Sequence, residues 1–244
     1  MNIPFFLKLK RIPLYRLLPG MIDVQSHLFP GIDDGIRNAM DCVAALNRMK
    51  QFGIKRIVCT PHIMENYPLN NKTYLSERFA DFQSLLPEEM EGNLAAEYML
   101  DSKFADHLSE GLLAYAGRRV LLEVSYFAEP LGFDTMLYQV LLSGYRPVLA
   151  HPERYMYLSL ERYAALKDRG CFFQLNFFSV CGYYGKNVQK RAEWLLKEGY
   201  YDFIGTDLHH VEHCDLFTLY SVRGDIAKKL LVLAEQNEFL WKSL

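Results

Sequence analysis

The segment MIDVQSHLFPGIDDG, residues 21–35, joins an apolar run to a group of polar side chains where that run ends. Asp23, Gln25 and His27 occupy alternating positions, and the acidic turn 33–35 follows them. Alternate residues of a strand share one face, so this pattern is typical of a metal site at the end of a strand. Gln25 stands where an imidazole would be the stronger ligand. The segment therefore predicts a β-strand and raises the question of a metal centre.

Similar short apolar runs recur along the chain, and stretches of helical periodicity such as 38–51 and 187–198 separate most of them. The predicted strands are 21–25, 54–59, 93–97, 119–124, 146–150, 171–175 and 202–206. Repeated alternation of strand and helix indicates parallel strands joined by helical crossovers. The sequence therefore predicts an α/β fold without an internal linker or a second domain.

Polar side chains follow every one of these predicted strands. In chain order they are Gln25, His27, His62, Glu97, Glu123, His151, Arg154, Gln174, Asn176, Asp207 and His209. The carboxyl ends of parallel strands form one face of an α/β barrel, where active sites are built. Any one of these histidines is more often a satisfied structural residue, but their convergence favours a metal site.

Imidazole and carboxylate ligands from separate strands can hold two or three divalent cations. Nitrogen and oxygen donors without thiolate favour manganese, iron, zinc or magnesium over copper or an iron–sulfur cluster. Such cations lower the pKa of a bound water, so that it can attack phosphorus near neutral pH. Arg154 can bind a phosphate with its planar fork of N–H groups. The pattern therefore indicates phosphate chemistry.

The motifs DVQSH with DDG, TPH, AAEYML, LLEVSYF, LAHPERY, FQLN and GTDLHH occur in this order. Together they resemble the polymerase-and-histidinol-phosphatase (PHP) superfamily. Within it, the chain is similar to the bacterial protein-tyrosine phosphatases of capsule and exopolysaccharide loci. The resemblance extends from about residue 20 to the early 220s.

The resemblance implies a distorted (β/α)7 TIM-like barrel, the PHP fold, with up to three metal ions, manganese being the expected one. It implies hydrolysis of phosphotyrosine on the tail of a tyrosine kinase that controls polysaccharide chain length. The metal-ligand positions carried over by motif are Gln25, His27, Asp33, His62, Glu97, Glu123, His151, Asp207 and His209. Arg154, Asp207 and His209 are the predicted catalytic residues, and Asp23 is expected to orient a ligand.

Two departures from the family pattern concern the site. Gln25 replaces the first histidine of the first motif, which predicts a weaker corner of the metal centre. Some relatives supply a second arginine after GTDLHH, where this chain has His210 and His213. Either of these histidines can share the substrate phosphate or act as the acid for its leaving group, and both can equally be ordinary surface histidines.

The sequence CVAALNR, Cys42 to Arg48, formally fits the C-x5-R loop of cysteine-dependent phosphatases. That loop needs small residues whose backbone N–H groups curl around a phosphate. The intervening residues here are apolar at helical spacing, and Asp41 would raise the pKa of the thiol. We therefore interpret the match as a coincidence within a helix.

Composition narrows the remaining possibilities. With 27 lysines and arginines against 29 acids, the chain has a net charge of −2 and gives no reason to expect nucleic acid. Its five cysteines are scattered without a CxxC pair, which favours reduced thiols in the cytoplasm. No apolar run approaches the roughly 18 residues of a transmembrane helix.

Residues 1–20 contain Lys8, Lys10, Arg11 and Arg16 but no acid. They form either a basic arm, with weak contact to an anionic membrane surface or an acidic partner, or a partly ordered leader. The remainder, 21–244, is predicted to be one phosphatase domain, which the helix-like segment 215–244 closes.

Two aromatic segments also lie among the motifs. SYFAEPLGF, residues 125–133, can wall a pocket for an aromatic ring or pack at the rim of the barrel. Tyr183 and Tyr184 have the same two interpretations, a substrate edge or simple packing. The same site also leaves open a small phosphate ester as substrate, or a binding protein weakened by Gln25. Oligomeric state is not predicted.

Overall fold

Short buried strands alternate with helices along the chain, as the sequence pattern predicts. The structure, a computed structural model, describes residues 10–241. The strands are β1 (Arg11–Pro13), β2 (Ile22–Ser26), β3 (Arg56–Cys59), β4 (His62–Ile63), β5 (Glu91–Leu94), β6 (Glu97–Met99), β7 (Arg119–Glu123), β8 (Arg146–Ala150), β9 (Phe172–Asn176), β10 (Phe203–Gly205) and β11 (Ser221–Arg223). The helices are α1 (Ala39–Gln51), α2 (Lys72–Gln83), α3 (Phe104–Glu110), α4 (Phe133–Leu142), α5 (Leu160–Asp168), α6 (Lys186–Lys197), α7 (His213–Leu219) and α8 (Gly224–Gln236).

The main sheets are parallel throughout. One has the strand order β10-β9-β8-β7-β6-β4 and the other the order β2-β3-β5, while β1 and β11 form a separate antiparallel pair. Parallel neighbours require crossovers, and helices supply most of them here. The predicted α/β class is therefore confirmed.

The predicted strands agree with the observed ones to within two residues, except at 93–97. There the chain forms β5 and β6, separated by Ala95 and Ala96. The path of the predicted strand 54–59 is interrupted in the same way. Pro61 cannot donate to the ladder, so β3 ends before it and the chain resumes as β4. The Ala95 N–H still donates to Cys59 O at 2.9 Å, and the Glu97 N–H to Pro61 O at 3.1 Å. Each pair of short strands thus follows one path and delivers its second member to the site.

The outer strands of the two parallel sheets, β2 and β10, lie side by side. Beyond their ends, the Asp207 N–H donates to Gln25 O and the His27 N–H donates to Leu208 O, both at 2.9 Å. At the opposite end, the buried Asn237 amide donates to Ile22 O at 2.8 Å and to Ile204 O at 2.7 Å. Side-chain and backbone hydrogen bonds therefore join the two sheets at both ends.

The core has two parts. The larger part lies between the strands and the helices, and a smaller cluster lies between the two parallel sheets. This inner cluster comprises Ile22, Val24, Val58, Ala95, Tyr115, Leu121, Val148, Ala150, Phe203 and Leu240. The Tyr115 hydroxyl donates to Val24 O at 2.7 Å, so its polar end is satisfied inside the cluster.

Helix α1 shows how local sequence sets an element. Asn38 caps it by accepting from the Asp41 N–H at 2.9 Å, and Cys42, Ala45, Leu46 and Met49 form its buried stripe. Truncating a buried leucine such as Leu46 to alanine costs about 2–5 kcal/mol. Residues 42–48 lie within α1, so the helical interpretation of CVAALNR is confirmed, and burial raises the pKa of the Cys42 thiol to about 12.

The described part of the predicted arm, residues 10–20, packs against the rest of the chain. Ile12, Leu14, Leu17 and Leu18 are buried, and the Leu14 N–H donates to Tyr220 O at 3.1 Å. Residues 1–9, where part of the basic arm was predicted, lie outside the described residues. The division between arm and domain at residue 20 stays a prediction.

The C-terminal segment is more divided than the helix-like pattern of 215–244 suggests. It forms α7, then β11, then α8 and a 3₁₀ turn at Asn237–Leu240, while residues 242–244 lie outside the described part. The chain is extended at Tyr220 so that β11 can pair with β1. Within residues 10–241, no helix is long and apolar enough to cross a membrane.

Candidate metal centre

The carboxyl ends of the parallel strands bring most of the predicted ligands together. Gln25 lies near the end of β2 and His27 follows it, His62 begins β4, Glu97 begins β6, Glu123 ends β7, His151 follows β8, and Asp207 and His209 follow β10. All of these side chains are buried except His209, which is partly exposed. Burying so many ionisable groups is costly unless they pair with one another or with cations.

Histidine and carboxylate donors form three groups whose ligand atoms lie within 4.8 Å of one another. The first group is His27, Glu97 and Asp207; the second group is His62, Glu97 and Glu123; the third group is His27, Asp34, His62 and His209. Glu97 belongs to both the first and the second group. A shared carboxylate is what a cluster of two or more cations requires.

The second group fits a divalent cation particularly well. The buried His62 Nδ1 has no hydrogen-bond partner and lies 3.8 Å from Glu97 Oε2 and 3.7 Å from Glu123 Oε2. His151 adds a nitrogen beside it, because its Nε2 lies 3.2 Å from Glu97 Oε1 and 3.6 Å from Glu123 Oε1. A cation among these atoms would complete the unpaired nitrogen and neutralise the carboxylates.

The pKa values of the two glutamates in the second group are shifted in opposite directions. Burial favours the neutral form of Glu97, but hydrogen bonds to His151 and His27 outweigh burial and lower its pKa. Burial and the charge of Glu97 raise the pKa of Glu123. A bound cation favours the ionised form of both side chains, so the pair is suited to share one.

Two predicted ligands occupy strained backbone positions. His151 has φ 33° and Asp207 has φ 55°, in the left-handed region that non-glycine residues seldom adopt. Each such residue costs about 1–3 kcal/mol and is typically found where function requires it. The turn after each strand thereby directs its side chain toward the centre.

The acidic turn places its two aspartates differently. Asp33 Oδ2 lies 2.8 Å from His27 Nδ1 and accepts from the His62 N–H at 2.9 Å, so Asp33 orients His27 from outside the three groups. Asp34 is the aspartate that joins the third group, with Oδ1 3.6 Å from His62 Nε2 and 3.7 Å from His209 Nε2. A Cβ on Gly35 would clash with His27, which explains the glycine in this turn.

The structure thus differs from the sequence interpretation in the acidic turn. The structure brings Asp34, which the sequence pattern does not single out, into the third group, and Asp33 as a ligand of the third metal stays a prediction. Adjacent aspartates look equivalent in sequence, and only the backbone path of the turn distinguishes them.

Gln25 lies beside the first group with both ends of its amide engaged. Its Nε2 donates to Glu97 Oε2 at 2.8 Å, and its carbonyl oxygen accepts from the Gln174 amide. The opposite amide orientation would direct the oxygen at a carboxylate, which is unfavourable. The predicted weak ligand therefore turns its hydrogen-bond donor, rather than its oxygen, toward Glu97.

Asp23 contacts the strand that carries a ligand. Its carboxylate accepts from the Thr206 N–H at 2.9 Å and from the Thr206 hydroxyl at 2.6 Å, and Thr206 precedes Asp207. Burial raises the pKa of Asp23 to about 7. Its expected orienting role thus acts through the backbone beside Asp207, rather than through a ligand side chain.

The donor groups open into a cavity of about 340 Å³ that also contains the predicted phosphate-binding residues. Arg154 lies there with Nη1 3.4 Å from Asp207 Oδ2, and His210 and His213 line the same cavity. Burial lowers the pKa of His213 to about 4. Its Nδ1 accepts from the His209 N–H at 3.3 Å, and its Nε2 lies 3.3 Å from the Tyr183 hydroxyl.

The two aromatic segments contribute to the cavity wall through some of their residues. Tyr126, Tyr183 and Tyr184 line the cavity. Phe133 is instead buried in the core, and Phe127 is 95% exposed. The segment 125–133 therefore combines both predicted roles.

Comparison with known proteins extends the similarity over the whole site. The family described as capsular polysaccharide synthesis, CpsB/CapC, matches residues 21–218. The chain is 25% identical over 238 residues to tyrosine-protein phosphatase YwqE of Bacillus subtilis, covering 91% of this chain and 92% of that protein. It is 27% identical over 204 residues to tyrosine-protein phosphatase CpsB of Streptococcus pneumoniae, covering 79% and 84%.

A solved structure agrees with the fold. It belongs to a study of YwqE from Bacillus subtilis and CpsB from Streptococcus pneumoniae, described as metal-dependent tyrosine phosphatases. The alignment has a TM-score of 0.78 and 24% identity, and it covers 90% of this chain and 94% of that one. A lactonase from Listeria monocytogenes, at 10% identity and a TM-score of 0.57, shares the fold alone. The predicted resemblance to capsule-type phosphatases is confirmed, and the chain belongs to the CpsB/CapC family of capsular polysaccharide synthesis.

Proposed function

We propose that this chain is a metal-dependent protein-tyrosine phosphatase that hydrolyses phosphotyrosine on a tyrosine kinase of polysaccharide synthesis. The observation that carries the proposal is one cavity in which Arg154 adjoins three groups of candidate metal ligands, among them Glu97 and His27. The relatives named tyrosine-protein phosphatases support the reaction. The substrate we expect is the tyrosine-phosphorylated tail of the kinase.

The three groups are proposed to hold two or three divalent cations, with manganese expected and iron, zinc or magnesium as alternatives. Cations at these positions supply an activated water and charge stabilisation for attack on phosphorus. Arg154 binds the phosphoryl oxygens with its N–H groups and stabilises the charge that develops on them. Asp207 holds Arg154 toward the centre through the contact of 3.4 Å between Oδ2 and Nη1.

The two histidines after β10 are not equivalent in this proposal. A pKa of about 4 leaves His213 neutral at neutral pH, so it is a poor acid for the leaving group. His213 instead positions the loop through Tyr183 and the His209 backbone. His210 is the better candidate for a contact with substrate.

We also propose that the parallel strands close into the seven-stranded barrel implied by the family resemblance. The hydrogen bonds between the ends of β2 and β10 support closure, as does the inner apolar cluster. Since Ile12 and Leu14 are buried, the packed unit is proposed to begin near Arg11. Weak membrane contact through the residues before it, and a cytoplasmic location, stay predictions.

The test is manganese-dependent hydrolysis of a phosphotyrosine peptide before and after thiol alkylation. Burial raises the pKa of Cys42, Cys171 and Cys214 to about 12, so none of these thiols is a ready nucleophile. Activity should disappear on metal stripping, return with manganese, and survive iodoacetamide. Full activity after verified removal of metal would contradict the proposal.

A weakened, mainly binding homologue is the second candidate, and the engaged amide of Gln25 is the observation that favours it. Comparing turnover of phosphotyrosine peptides with turnover of small phosphate esters distinguishes the candidates. A phosphatase for proteins turns over the peptide faster, whereas a small-ester enzyme prefers the esters. A binding homologue turns over neither efficiently but still binds the phosphopeptide.

A further inference from the structure

The guanidinium of Arg154 lies over the rings of two tyrosines. Its Cζ is 4.4 Å from the ring centroid of Tyr126 and 4.5 Å from that of Tyr184. Tyr126 follows β7 and Tyr184 follows β9, so the two rings come from separate loops. Both are within the distance at which an aromatic face attracts a cation. The N–H edge is the part of the group left for a phosphate.

Each tyrosine hydroxyl connects to a carboxylate of the metal-binding groups. The Tyr126 hydroxyl donates to Glu123 Oε1 at 2.6 Å. The Tyr184 hydroxyl accepts from Asn176 Nδ2 at 3.1 Å, and the same amide donates to Asp207 Oδ2 at 2.9 Å. Each ring is thus linked to the centre by a hydroxyl hydrogen bond in addition to its contact with Arg154.

Arg154 carries unusual weight in this chain. Among the described residues that line the cavity, it is the one arginine or lysine. The side chains of the cavity therefore offer a phosphate one arginine, whose long side chain otherwise samples many rotamers.

We propose that Tyr126 and Tyr184 form a clamp that positions Arg154 for the phosphoryl group, an inference that rests on the proposed phosphatase function. The clamp holds the plane of the guanidinium so that its edge faces the centre. In this clamp the two rings occupy the faces of the guanidinium, so that a substrate ring does not stack on Arg154. This side chain then recognises the phosphate alone, and inorganic phosphate is a sufficient probe of the clamp.

The experiment measures binding of inorganic phosphate to the manganese-loaded full chain by isothermal titration calorimetry. Tyr126→Leu and Tyr184→Leu each remove a ring and should raise the Kd for phosphate about tenfold, the effect of losing a partly desolvated cation–aromatic contact. Tyr126→Phe and Tyr184→Phe keep the rings and should retain most of the affinity. Tyr74→Leu is the matched control, because it removes a Tyr–Arg stack on α2, with Arg78 Cζ 5.5 Å from the ring.

A double-mutant cycle separates positioning from general packing. In an Arg154→Ala background, removing either ring should leave the Kd for phosphate unchanged, because nothing remains to be aimed. A tenfold loss with or without Arg154 would overturn the clamp. So would loss of manganese, measured by elemental analysis, in parallel with the loss of phosphate binding.

The result also separates the clamp from the proposed function. Peptide turnover is measured on the same proteins, and the clamp predicts that the rise in KM for a phosphotyrosine peptide matches the rise in Kd for phosphate. Intact coupling between the rings and Arg154 in a protein without peptide turnover would support the clamp and contradict the tyrosine-phosphatase function. Turnover without coupling would do the reverse.

Discussion

The first and second groups share Glu97 but differ in what lies beside that carboxylate. Next to the first group, the Gln25 amide donates a hydrogen bond of 2.8 Å to Glu97 Oε2. Next to the second group, His151 Nε2 lies 3.2 Å from Glu97 Oε1 and 3.6 Å from Glu123 Oε1. An imidazole nitrogen can bind a cation, whereas an amide N–H cannot. The second group therefore has an additional candidate ligand beside it that the first group lacks.

This difference teaches how one substitution is accommodated. Gln25 does not leave a buried gap, because its carbonyl oxygen accepts from Gln174 while its nitrogen donates to Glu97. A hydrogen bond satisfies the carboxylate oxygen without supplying charge, and the weaker ligation predicted at Gln25 stays a prediction. We expect the two sides of the centre to hold their cations with different affinities.

Glu97→Gln should have the largest effect, because it removes the carboxylate that both groups share. We expect manganese affinity to fall by at least about 100-fold on both sides, with corresponding loss of phosphatase activity. Equilibrium dialysis with elemental analysis measures this, and Glu91→Gln, at an exposed position of β5, is the control. Retention of one tightly bound ion would show that Glu97 does not serve both groups.

His151→Asn should weaken the second group and so remove the expected difference in cation affinity between the two groups. Asparagine tolerates the left-handed backbone at this position, so the change removes the imidazole with little added strain. The affinity of the second group should fall about 10- to 100-fold, which brings it close to that of the first. Stepwise titration with a chelator should then show one release step in place of two. His107→Asn on α3 controls for loss of a histidine, and two steps of unchanged spacing would contradict the assignment.

Gln25→His should strengthen the first group and raise its affinity for manganese about tenfold. The gain is limited because the imidazole must displace the contact with Gln174 and fit beside Gly205. This space is tight, since a Cβ built on Gly205 would lie 2.7 Å from the Cβ of Gln25. Chelator titration measures the change, and Gln139→His on the exposed face of α4 is the control. If metal content and rate both stay at their original values, the glutamine is not the cause of a weak corner.

Sequence reasoning located most of the centre because each ligand stands at the end of an apolar run. His62, Glu97 and Glu123 follow from that pattern alone. The pattern could not distinguish Asp33 from Asp34, because the turn over His27 decides which carboxylate enters the third group. Local periodicity carries no information on such a turn.

Contacts between distant residues explain what else was missed. Gln25 contacts Gln174 across 149 positions, and β1 pairs with β11 across more than 200. Strands of three residues have too little periodicity to be recognised, and their pairing depends on the packing of the whole domain. Side-chain amide contacts likewise appear only when both strands are in place.

Asp23→Asn should have the smallest effect on metal binding, less than about twofold, because its carboxylate bonds Thr206 rather than a ligand side chain. Its effect lies in the pH dependence of folding. The pKa of Asp23 is raised from 3.8 to about 7 in the folded chain, so between about pH 4 and 7 the folded state holds a proton that the unfolded state has lost. The free energy of unfolding contributed by this residue therefore falls as pH rises through that window.

Thermal unfolding of the metal-free chain at a series of pH values measures the effect. The difference between Asp23→Asn and the unmodified chain isolates this carboxyl from the neighbouring histidines, which titrate in both proteins. The variant should be less stable than the unmodified chain near pH 4, because it lacks the carboxyl that binds a proton in the folded state. It should lose less stability as the pH rises to 7, because asparagine keeps one acceptor for the Thr206 N–H and has no charge to bury. Stability curves that run parallel across this pH window would show that Asp23 is already ionised in the fold. The hydrogen bonds from Thr206 to Asp23, which join β2 to the end of β10, would then go to a charged acceptor.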